Sequence, residues 1–378
     1  MDLGLSEEQE MLKGFARDFL EKECPESLVR AMEDDETGHS PQLWKGMADQ
    51  GWQGLIIPPE HGGSGMGFVE LTVLMEEFGR ALVPGPFLST QVGGAIPILE
   101  WGSEGQKQAR LPQIASGEKV WTLALLEASA RFDAPGVQME ATVDGDRLIL
   151  NGVKLFVRDA HVADYLTVAV RTNKGANAED GVTLLVVDAK APGVSHALLK
   201  TLGGDKQCEV KFGNVAVPTA NVIGEIDKGW PILSKLLLKA AALECAYLVG
   251  LAQMDFEITV NYAKERLQFG RPIGSFQAIQ HKCADMITDV DGSRFIMYRA
   301  ALSIAGDEPD ADQTVHMAKA WCNEATRRVV AHGQQIHGGI GFTKDYKLQL
   351  YFRRQKVAEL MWGDVDFHRD LVAQSLGV

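Results

Sequence analysis

The sequence predicts an α+β protein in which a helical N-terminal domain, a central β domain and a C-terminal helical bundle follow one another. Three changes in the residue pattern support this order. Apolar residues recur at helical spacing in the first part of the chain, short β-branched runs bounded by turn residues follow, and long helical segments complete it. We therefore expect three domains, at residues 1–118, 119–226 and 227–378.

The first domain carries a recognisable helix start close to its beginning. Ser6 is a good N-cap residue, and Glu7 and Glu8 complement the positive end of the helix dipole. Residues 54–67 are rich in Gly and Pro, a composition that favours turns over regular structure. We therefore expect a helix that begins near Ser6 and a loop at 54–67 that interrupts the helices.

The central and C-terminal domains differ in the length of their regular segments. Residues 144–146 are Asp-Gly-Asp and lie between two strand-like runs, which predicts a turn within an antiparallel β domain. Further along, long segments without internal proline predict helices that bury one face against each other. These helices are expected at 233–266, 276–305 and 311–332, with Pro309 in a connecting turn.

Composition and charge narrow the functional classes. The 378 residues carry a net charge of -14, whereas general nucleic-acid binders present a basic surface, so no nucleic-acid partner is expected. The five cysteines form no Cys-x-x-Cys pair and no metal-spaced cluster, which predicts reduced thiols and no metal site. The first fifteen residues lack signal-peptide features, and the apolar stretch at 240–252 is broken by Glu244. We expect a cytoplasmic protein without a membrane span.

The most informative segment of the chain spans residues 265–286, ERLQFGRPIGSFQAIQHKCADM. It combines a cation, a tight Gly-Arg-Pro-Ile turn and two glutamines. Arg266 supplies the fixed fork of donors that suits a pyrophosphate, with Phe269 and Gln277 close by in sequence. A single arginine at a helix end more often has only a structural role. The support for a pyrophosphate site therefore comes from the whole segment and not from Arg266 alone.

A second unusual segment begins at residue 334, with the sequence QQIHGGIGFTKDYKLQLYFRRQK. Gly338 and Gly339 allow the backbone to approach a ligand closely, and exposed backbone N–H groups suit phosphate or adenine. Gln335 places an amide beside them. Taken alone, this segment is also compatible with a simple glycine-rich break at the end of a helix.

Together the two segments resemble the signature of the acyl-CoA dehydrogenase family, and the resemblance covers essentially the whole chain. It implies that family's fold, with an antiparallel central domain and a C-terminal four-helix bundle. It also implies FAD as the cofactor, an acyl-CoA substrate, an electron-transfer acceptor and a tetramer. In the family, the matching residues contact the FAD of the neighbouring subunit; here they are Arg266, Phe269, Gln277, Gln335, Gly338 and Gly339.

The β-domain half of the implied flavin site departs from the family pattern. Glu127 is retained, but the Pro and the Gly-Ser-Asp that usually follow it are absent. Phe156 replaces the usual Trp, and Arg158 stands where a small hydroxyl residue usually faces the flavin ring. An arginine there would change both the sterics and the electrostatics beside the ring. Whether this chain binds FAD by itself therefore stays open.

The catalytic base is missing from both of its usual places. Removal of the α-proton of a thioester needs a carboxylate beside the substrate. Alignment with the family puts Trp362 at one base position and Ala240 at the other, and neither side chain accepts a proton. Asp364 and Glu244 are nearby in sequence and are weak substitutes. A helix cap for Asp364 and a satisfied carboxylate for Glu244 are the alternatives.

These departures resemble the base-lacking subunit of heterotetrameric, steroid-type acyl-CoA dehydrogenases. We therefore predict an FAD-dependent subunit that desaturates an acyl-CoA thioester in lipid or steroid catabolism, within an α2β2 tetramer whose second chain supplies the base. Three alternatives stay open. They are a self-sufficient homo-oligomer with Glu244 or Asp364 as its base, a related flavin oxidase or monooxygenase, and a scaffold that retains only the fold.

Overall fold

The computed structural model describes residues 4–378 and confirms the predicted α+β fold, with helices, a middle region of largely antiparallel sheet and again helices in chain order. The first three residues of the N-terminal segment lie outside the described part. The chain forms two compact units, which we call the helical unit and the sheet unit. The helical unit comprises Met1–Ala31, Phe68–Val83 and Ala241–Val378, and the sheet unit comprises Met32–Gly67 and Pro84–Ala240.

The helices account for most of the regular structure within residues 4–378. They are α1 (Glu7–Glu23), α2 (Glu26–Asp34), α3 (Pro41–Asp49), α4 (Phe68–Ala81), α5 (Phe87–Thr90), α6 (Ile96–Trp101), α7 (Glu104–Ala115), α8 (Trp230–Glu265), α9 (Gln277–Ala305), α10 (Ala311–His337), α11 (Leu348–Ala358) and α12 (Val365–Ser375).

In the described part of the chain, the strands form two four-stranded sheets and one small hairpin. In chain order they are β1 (Trp121–Ala124), β2 (Ala141–Asp144), β3 (Arg147–Arg158), β4 (Tyr165–Arg171), β5 (Val182–Asp188), β6 (Val194–Leu199), β7 (Gln207–Pro218), β8 (Val222–Ile223), β9 (Leu267–Gln268) and β10 (Arg271–Pro272). The sheet orders are β1-β4-β5-β8 and β2-β3-β7-β6. Pairing is antiparallel except that β1 runs parallel to β4.

Local sequence signals account for several of these boundaries. Ser6 caps α1 in a reciprocal arrangement with Gln9, in which each side chain bonds the other's backbone N–H. The predicted turn at 144–146 connects β2 to β3, and Gly145 has the positive φ of +59° that the turn requires. The predicted end of α10 at His332 is wrong, since the helix continues to His337. No proline or backbone conflict stops it earlier.

The helical unit is held by an apolar core and by buried ion pairs. Six fully or nearly fully buried residues form that core, and they are Ala252, Ala263, Met286, Val290, Val329 and Ile336. The Glu76 carboxylate of α4 is 3% exposed and is bound by Lys13 of α1 and by Arg294 and Tyr298 of α9. These contacts join three helices of the unit that carries both sequence motifs. Within residues 4–378, no helix is both long enough and apolar enough to cross a bilayer.

Candidate functional site

A small hairpin directly after α8 carries the first motif. β9 and β10 pair across a two-residue turn in which Phe269 (φ +52°) and Gly270 (φ +80°) are both left-handed. Two positive φ angles are typical of a type I′ turn, in which a phenylalanine is unusual because its Cβ disfavours that conformation. The Phe269 side chain is 92% exposed. The turn therefore holds an aromatic ring out into solvent at some conformational cost.

The polar side chains of this motif are also exposed. Arg266 follows the last residue of α8, and Gln277 begins α9. Neither side chain has a hydrogen-bond or ion-pair partner in the part of the chain that the structure describes. Arg271 instead packs over the ring of Phe276 at 4.2 Å, which stiffens the hairpin. The motif thus presents a guanidinium and an amide as unused donors beside an exposed aromatic ring.

The second motif lies at the end of α10 and in the short 3₁₀ helix that follows, Gly338–Phe342. Gln335 is exposed in the last helical turn, and Gly338 ends α10 with φ +62°. A Cβ atom added at Gly338 or Gly339 would meet nothing within 4 Å. This backbone is therefore open to close approach, which is what glycine in a ligand-binding loop provides.

An aromatic stack brings the two motifs together. The ring of Tyr262, in the last turns of α8, lies on the ring of His337 with centroids 4.2 Å apart. His337 Nδ1 donates to the carbonyl of Gly333 at 2.8 Å, so in the neutral ring Nε2 accepts from the Tyr346 hydroxyl at 3.2 Å. Burial lowers the pKa of His337, which favours this neutral form. His337 is therefore a structural residue that fixes the second motif against α8.

Trp362 lies in the turn between α11 and α12 and is buried, at 8% exposure. Its φ of +62° turns the backbone sharply and directs the indole inward. The indole Nε1 donates to Glu244 Oε2 of α8 at 3.1 Å, and Glu244 is 1% exposed. The structure therefore joins the residue that the family resemblance puts at a base position to one of the two weak substitute carboxylates.

A buried lysine holds the backbone on both sides of Trp362. Lys319 of α10 is fully buried, and its ammonium donates to Asn323 Oδ1 at 2.6 Å. It also approaches the carbonyl oxygens of Ala358 and Glu359, at 3.3 and 3.4 Å, and of Gly363 at 3.4 Å. Burial lowers the pKa of Lys319, and neighbouring anions oppose that shift. This ammonium therefore lies close to carbonyl groups of the chain between α11 and α12.

A pair of histidines fixes the Trp362 carbonyl. That carbonyl can only accept, so His368 Nε2 is the donor at 3.0 Å. Burial, together with the nearby cation Lys319 and with His316, lowers the pKa of His368 to about 2. A neutral His368 therefore accepts at Nδ1 from His316 Nδ1, which lies 3.0 Å away. These two hydrogen bonds tie the turn between α11 and α12 to both α12 and α10.

Asp364 and Ala240 are the other two residues that the sequence connects with the catalytic base. Asp364 is exposed and caps α12, where its carboxylate accepts from the Phe367 backbone N–H at 2.9 Å. Ala240 of α8 is fully buried and carries only a methyl group. Asp364 thus has the helix-cap geometry that the sequence left as its alternative.

The sheet unit contributes a second, separate group of candidate residues. Lys154 is fully buried and binds Glu127 Oε1 at 2.7 Å, and the same oxygen accepts two backbone N–H groups at 2.9 Å. Burial lowers the pKa of Lys154 to about 8, against the attraction of Glu127. The retained Glu127 is therefore held by β3. Beyond it, Phe156 is 43% exposed with φ +54° within a register shift of β3, and the Arg158 carbonyl accepts from Thr122.

The residues of the helical unit fit FAD, whereas those of the sheet unit fit it only in part. In the helical unit, exposed donors and an open glycine backbone suit a pyrophosphate and an adenine. In the sheet unit, the exposed ring of Phe156 suits an aromatic partner, but Arg158 replaces the small hydroxyl residue of the family pattern.

Sequence reasoning missed two parts of this site. It named Trp362 and Glu244 separately and did not place the indole against the carboxylate. It also did not find the roles of Lys319 and Tyr262. A lysine in the middle of α10 and a tyrosine one turn before Arg266 were the available signals, and both residue types are common in helices.

Three family models match the chain along its length. They are the acyl-CoA dehydrogenase N-terminal domain over residues 6–118, the middle domain over 122–215 and the C-terminal domain over 227–377. The chain belongs to the acyl-CoA dehydrogenase family. It is therefore a flavin-dependent oxidoreductase that acts on the CH–CH bond of acyl-CoA, with FAD as its cofactor.

Individual relatives show the same full-length similarity. The probable acyl-CoA dehydrogenase YngJ of Bacillus subtilis is 33% identical over 382 residues, which cover 100% of both chains. The caffeyl-CoA reductase-Etf complex subunit CarC of Acetobacterium woodii is 34% identical over 366 residues, 95% of each chain. Among solved structures, the ChsE4-ChsE5 complex from Mycobacterium tuberculosis superimposes with a TM-score of 0.90 at 27% identity, covering 100% of this chain and 99% of that one.

Proposed function

We propose that this chain is one subunit of a hetero-oligomeric acyl-CoA dehydrogenase that forms a double bond between the α and β carbons of an acyl-CoA thioester. A partner chain of the same fold supplies the catalytic base. The observation that carries this proposal is the buried Trp362 indole at the usual base position, with its N–H committed to Glu244.

The chemistry of the reaction explains the importance of that position. FAD, when bound, accepts hydride from the β-carbon. The α-proton must leave to a carboxylate in hydrogen-bonding reach. An indole offers no basic lone pair, and the methyl group of Ala240 offers none either. Asp364 is used as the cap of α12. The chain therefore offers no obvious proton acceptor at either family position.

The two sequence motifs of the helical unit suit a contribution to a flavin site. Arg266, Gln277 and Gln335 are exposed donors without partners among the described residues, and Phe269 is held out into solvent. Such groups suit a flavin that lies mainly on another chain. The similar ChsE4-ChsE5 structure is named as a complex of two chains. We infer an α2β2 tetramer in which this chain completes its partner's flavin site.

Purification with and without a partner tests the proposal. The chain is purified alone and after co-expression with the product of an adjacent acyl-CoA dehydrogenase gene. We expect a stable complex with two copies of each chain, a flavin absorbance near 450 nm, and bleaching by octanoyl-CoA or a steroid side-chain CoA thioester. A yellow homotetramer of this chain that oxidises either thioester unaided would contradict the partner requirement.

One structural observation favours a second candidate function, a self-sufficient dehydrogenase with a relocated base. The Glu244 carboxylate lies 3.1 Å from the indole that occupies the usual base position. Asp364, the other substitute, is exposed and serves as a cap. Under this alternative, Glu244→Gln abolishes oxidation by the chain alone, whereas Asp364→Asn preserves it.

We also propose an electron-transfer flavoprotein as the electron acceptor. The relative CarC is named as a subunit of a caffeyl-CoA reductase-Etf complex. Reduced complex is mixed with a purified electron-transfer flavoprotein, and reoxidation is followed at 450 nm. Reoxidation at the same rate without that protein would exclude it as the acceptor and would favour direct reaction with oxygen.

A further inference from the structure

The turn at Trp362 is fixed from three directions. Its side chain is bound by Glu244 at 3.1 Å, its carbonyl by His368 at 3.0 Å, and the next carbonyl, of Gly363, faces the Lys319 ammonium at 3.4 Å. These partners come from α8, α12 and α10, so three helices contact the two neighbouring residues Trp362 and Gly363.

The backbone of this turn is in a conformation that side chains disfavour. Trp362 has φ +62° and Gly363 has φ +109°. A non-glycine residue with positive φ persists only where surrounding contacts over-determine it. Of these three contacts, the one from Glu244 acts on the Trp362 side chain, whereas the other two act on carbonyl groups.

Glu244 is placed to act as an anchor. It is 1% exposed, accepts from the indole N–H, and lies within electrostatic range of the buried Lys319 ammonium. A buried carboxylate is stable only when it is paired and hydrogen-bonded. A general base, in contrast, must be free to take up a proton from the substrate and to release it again.

We propose that Glu244 is a positioning residue that locks the Trp362 indole in the usual base position, and that it does not accept the substrate's proton. This inference rests on the proposed function, in which the base belongs to a partner chain. This contact gives the buried carboxylate a role other than proton transfer, because it holds a bulky, non-ionisable side chain at the position where the family resemblance implies a catalytic carboxylate.

The matched variants Glu244→Gln and Glu244→Leu distinguish a positioning role of Glu244 from a role as the general base. Gln keeps a side-chain oxygen that accepts from the indole, whereas Leu has a similar size and no acceptor. Both variants, and wild type, are prepared as the complex with the partner chain. Only this chain is labelled, with ¹⁵N-tryptophan in a deuterated background, which gives seven indole N–H signals, one for each tryptophan of the sequence.

The Trp362 signal is assigned by its loss in Trp362→Phe, and exposed Trp321 serves as the internal control. We expect the Trp362 N–H to exchange slowly with solvent in wild type and Glu244→Gln, and faster in Glu244→Leu. Trp321 exchange stays the same in all three. Bleaching of the complex by octanoyl-CoA or a steroid side-chain CoA thioester is expected at the wild-type rate in Glu244→Gln.

Two results would overturn the inference. A loss of about 10²- to 10⁴-fold in the bleaching rate of Glu244→Gln, the size expected for removal of a general base, would make Glu244 catalytic. Unchanged Trp362 exchange in Glu244→Leu would show that Glu244 locks nothing. If the proposed function is wrong and the inference about Glu244 is right, the result is different: the isolated chain oxidises acyl-CoA, while the exchange pattern of the variants is as predicted.

Discussion

Replacement of Glu76 by glutamine removes one charge from the centre of the helical unit and keeps the shape of the side chain. The carboxylate is 3% exposed and accepts from Lys13 at 3.0 Å, from Arg294 at 3.1 Å and from the Tyr298 hydroxyl at 2.6 Å. In Glu76→Gln these three donors face a neutral amide, and one of its two ends repels them.

The expected cost follows from the three hydrogen bonds. A hydrogen bond to a charged group contributes about 1.5–3 kcal/mol and a neutral one about 0.5–1.5 kcal/mol, so each loses roughly 1 kcal/mol. Lys13 and Arg294 keep some contact with water, at 16% and 23% exposure, which reduces the penalty of leaving them unpaired. We therefore expect the free energy of unfolding to fall by about 2–3 kcal/mol at neutral pH.

The effect also depends on pH. Burial raises the pKa of Glu76, but Lys13, Arg294 and Tyr298 outweigh it, so the pKa in the folded state lies below the ordinary value of 4.5. The carboxylate therefore stabilises the fold above that value, and the contribution is lost as pH falls through the folded-state pKa. The difference between wild type and Glu76→Gln should shrink under those acidic conditions.

Urea denaturation followed by circular dichroism measures the difference, at one fixed protein concentration because the protein is expected to be oligomeric. Glu70→Gln on the same helix is the control, since Glu70 is less buried and accepts from the neutral Gln9 amide at 2.7 Å. Its expected cost is below about 1 kcal/mol. A loss no greater for Glu76→Gln than for Glu70→Gln would refute the reasoning.

Three further predictions concern other parts of the chain. Arg266→Lys should weaken FAD retention by the complex at least about tenfold, because an ammonium cannot form the bidentate fork. The ratio of absorbance at 450 and 280 nm after gel filtration measures FAD retention. Unchanged retention would show that Arg266 does not belong to the flavin site. Burial lowers the pKa of Lys154 to about 8, so the free energy of unfolding of wild type should rise with pH from about 8 towards the ordinary value of 10.5, and Lys154→Met should lose that rise. Denaturation at a series of pH values tests this, and equal slopes for the two proteins would contradict the lowered pKa of Lys154. Asp364→Ala should lower the free energy of unfolding by about 1 kcal/mol, because α12 loses its cap, while turnover of the complex is unchanged. A large loss of turnover would show that Asp364 is catalytic.

The sequence predicts the fold and the exposed half of the site because both depend on local signals. Helical spacing, the Ser6 cap and the turn at 144–146 each act within a few residues. The segment from 265 to 286 likewise contains its own turn and helix start. Such features are recognisable without knowledge of distant contacts.

The buried half of the site depends on contacts that no local pattern specifies. Trp362 and Glu244 are separated by 118 residues in sequence and meet only when α8 and the turn before α12 pack together. The positive φ angle of Trp362 is equally hidden, because non-glycine residues rarely take that conformation and tertiary contacts impose it. The parallel pairing of β1 with β4 is also non-local, since a long stretch of chain separates the two strands.

The central claim is that a partner chain, and not this chain, takes the α-proton of the substrate. Reconstitution of the complex from the two separate chains tests this claim most directly. The chain and its partner are purified separately and loaded with FAD, and octanoyl-CoA or a steroid side-chain CoA thioester is added without oxygen to each alone and to the mixture. The account predicts bleaching at 450 nm in the mixture and none with this chain alone, with Glu244→Gln as active as wild type in the mixture. Bleaching by this chain alone, abolished by Glu244→Gln, would contradict it.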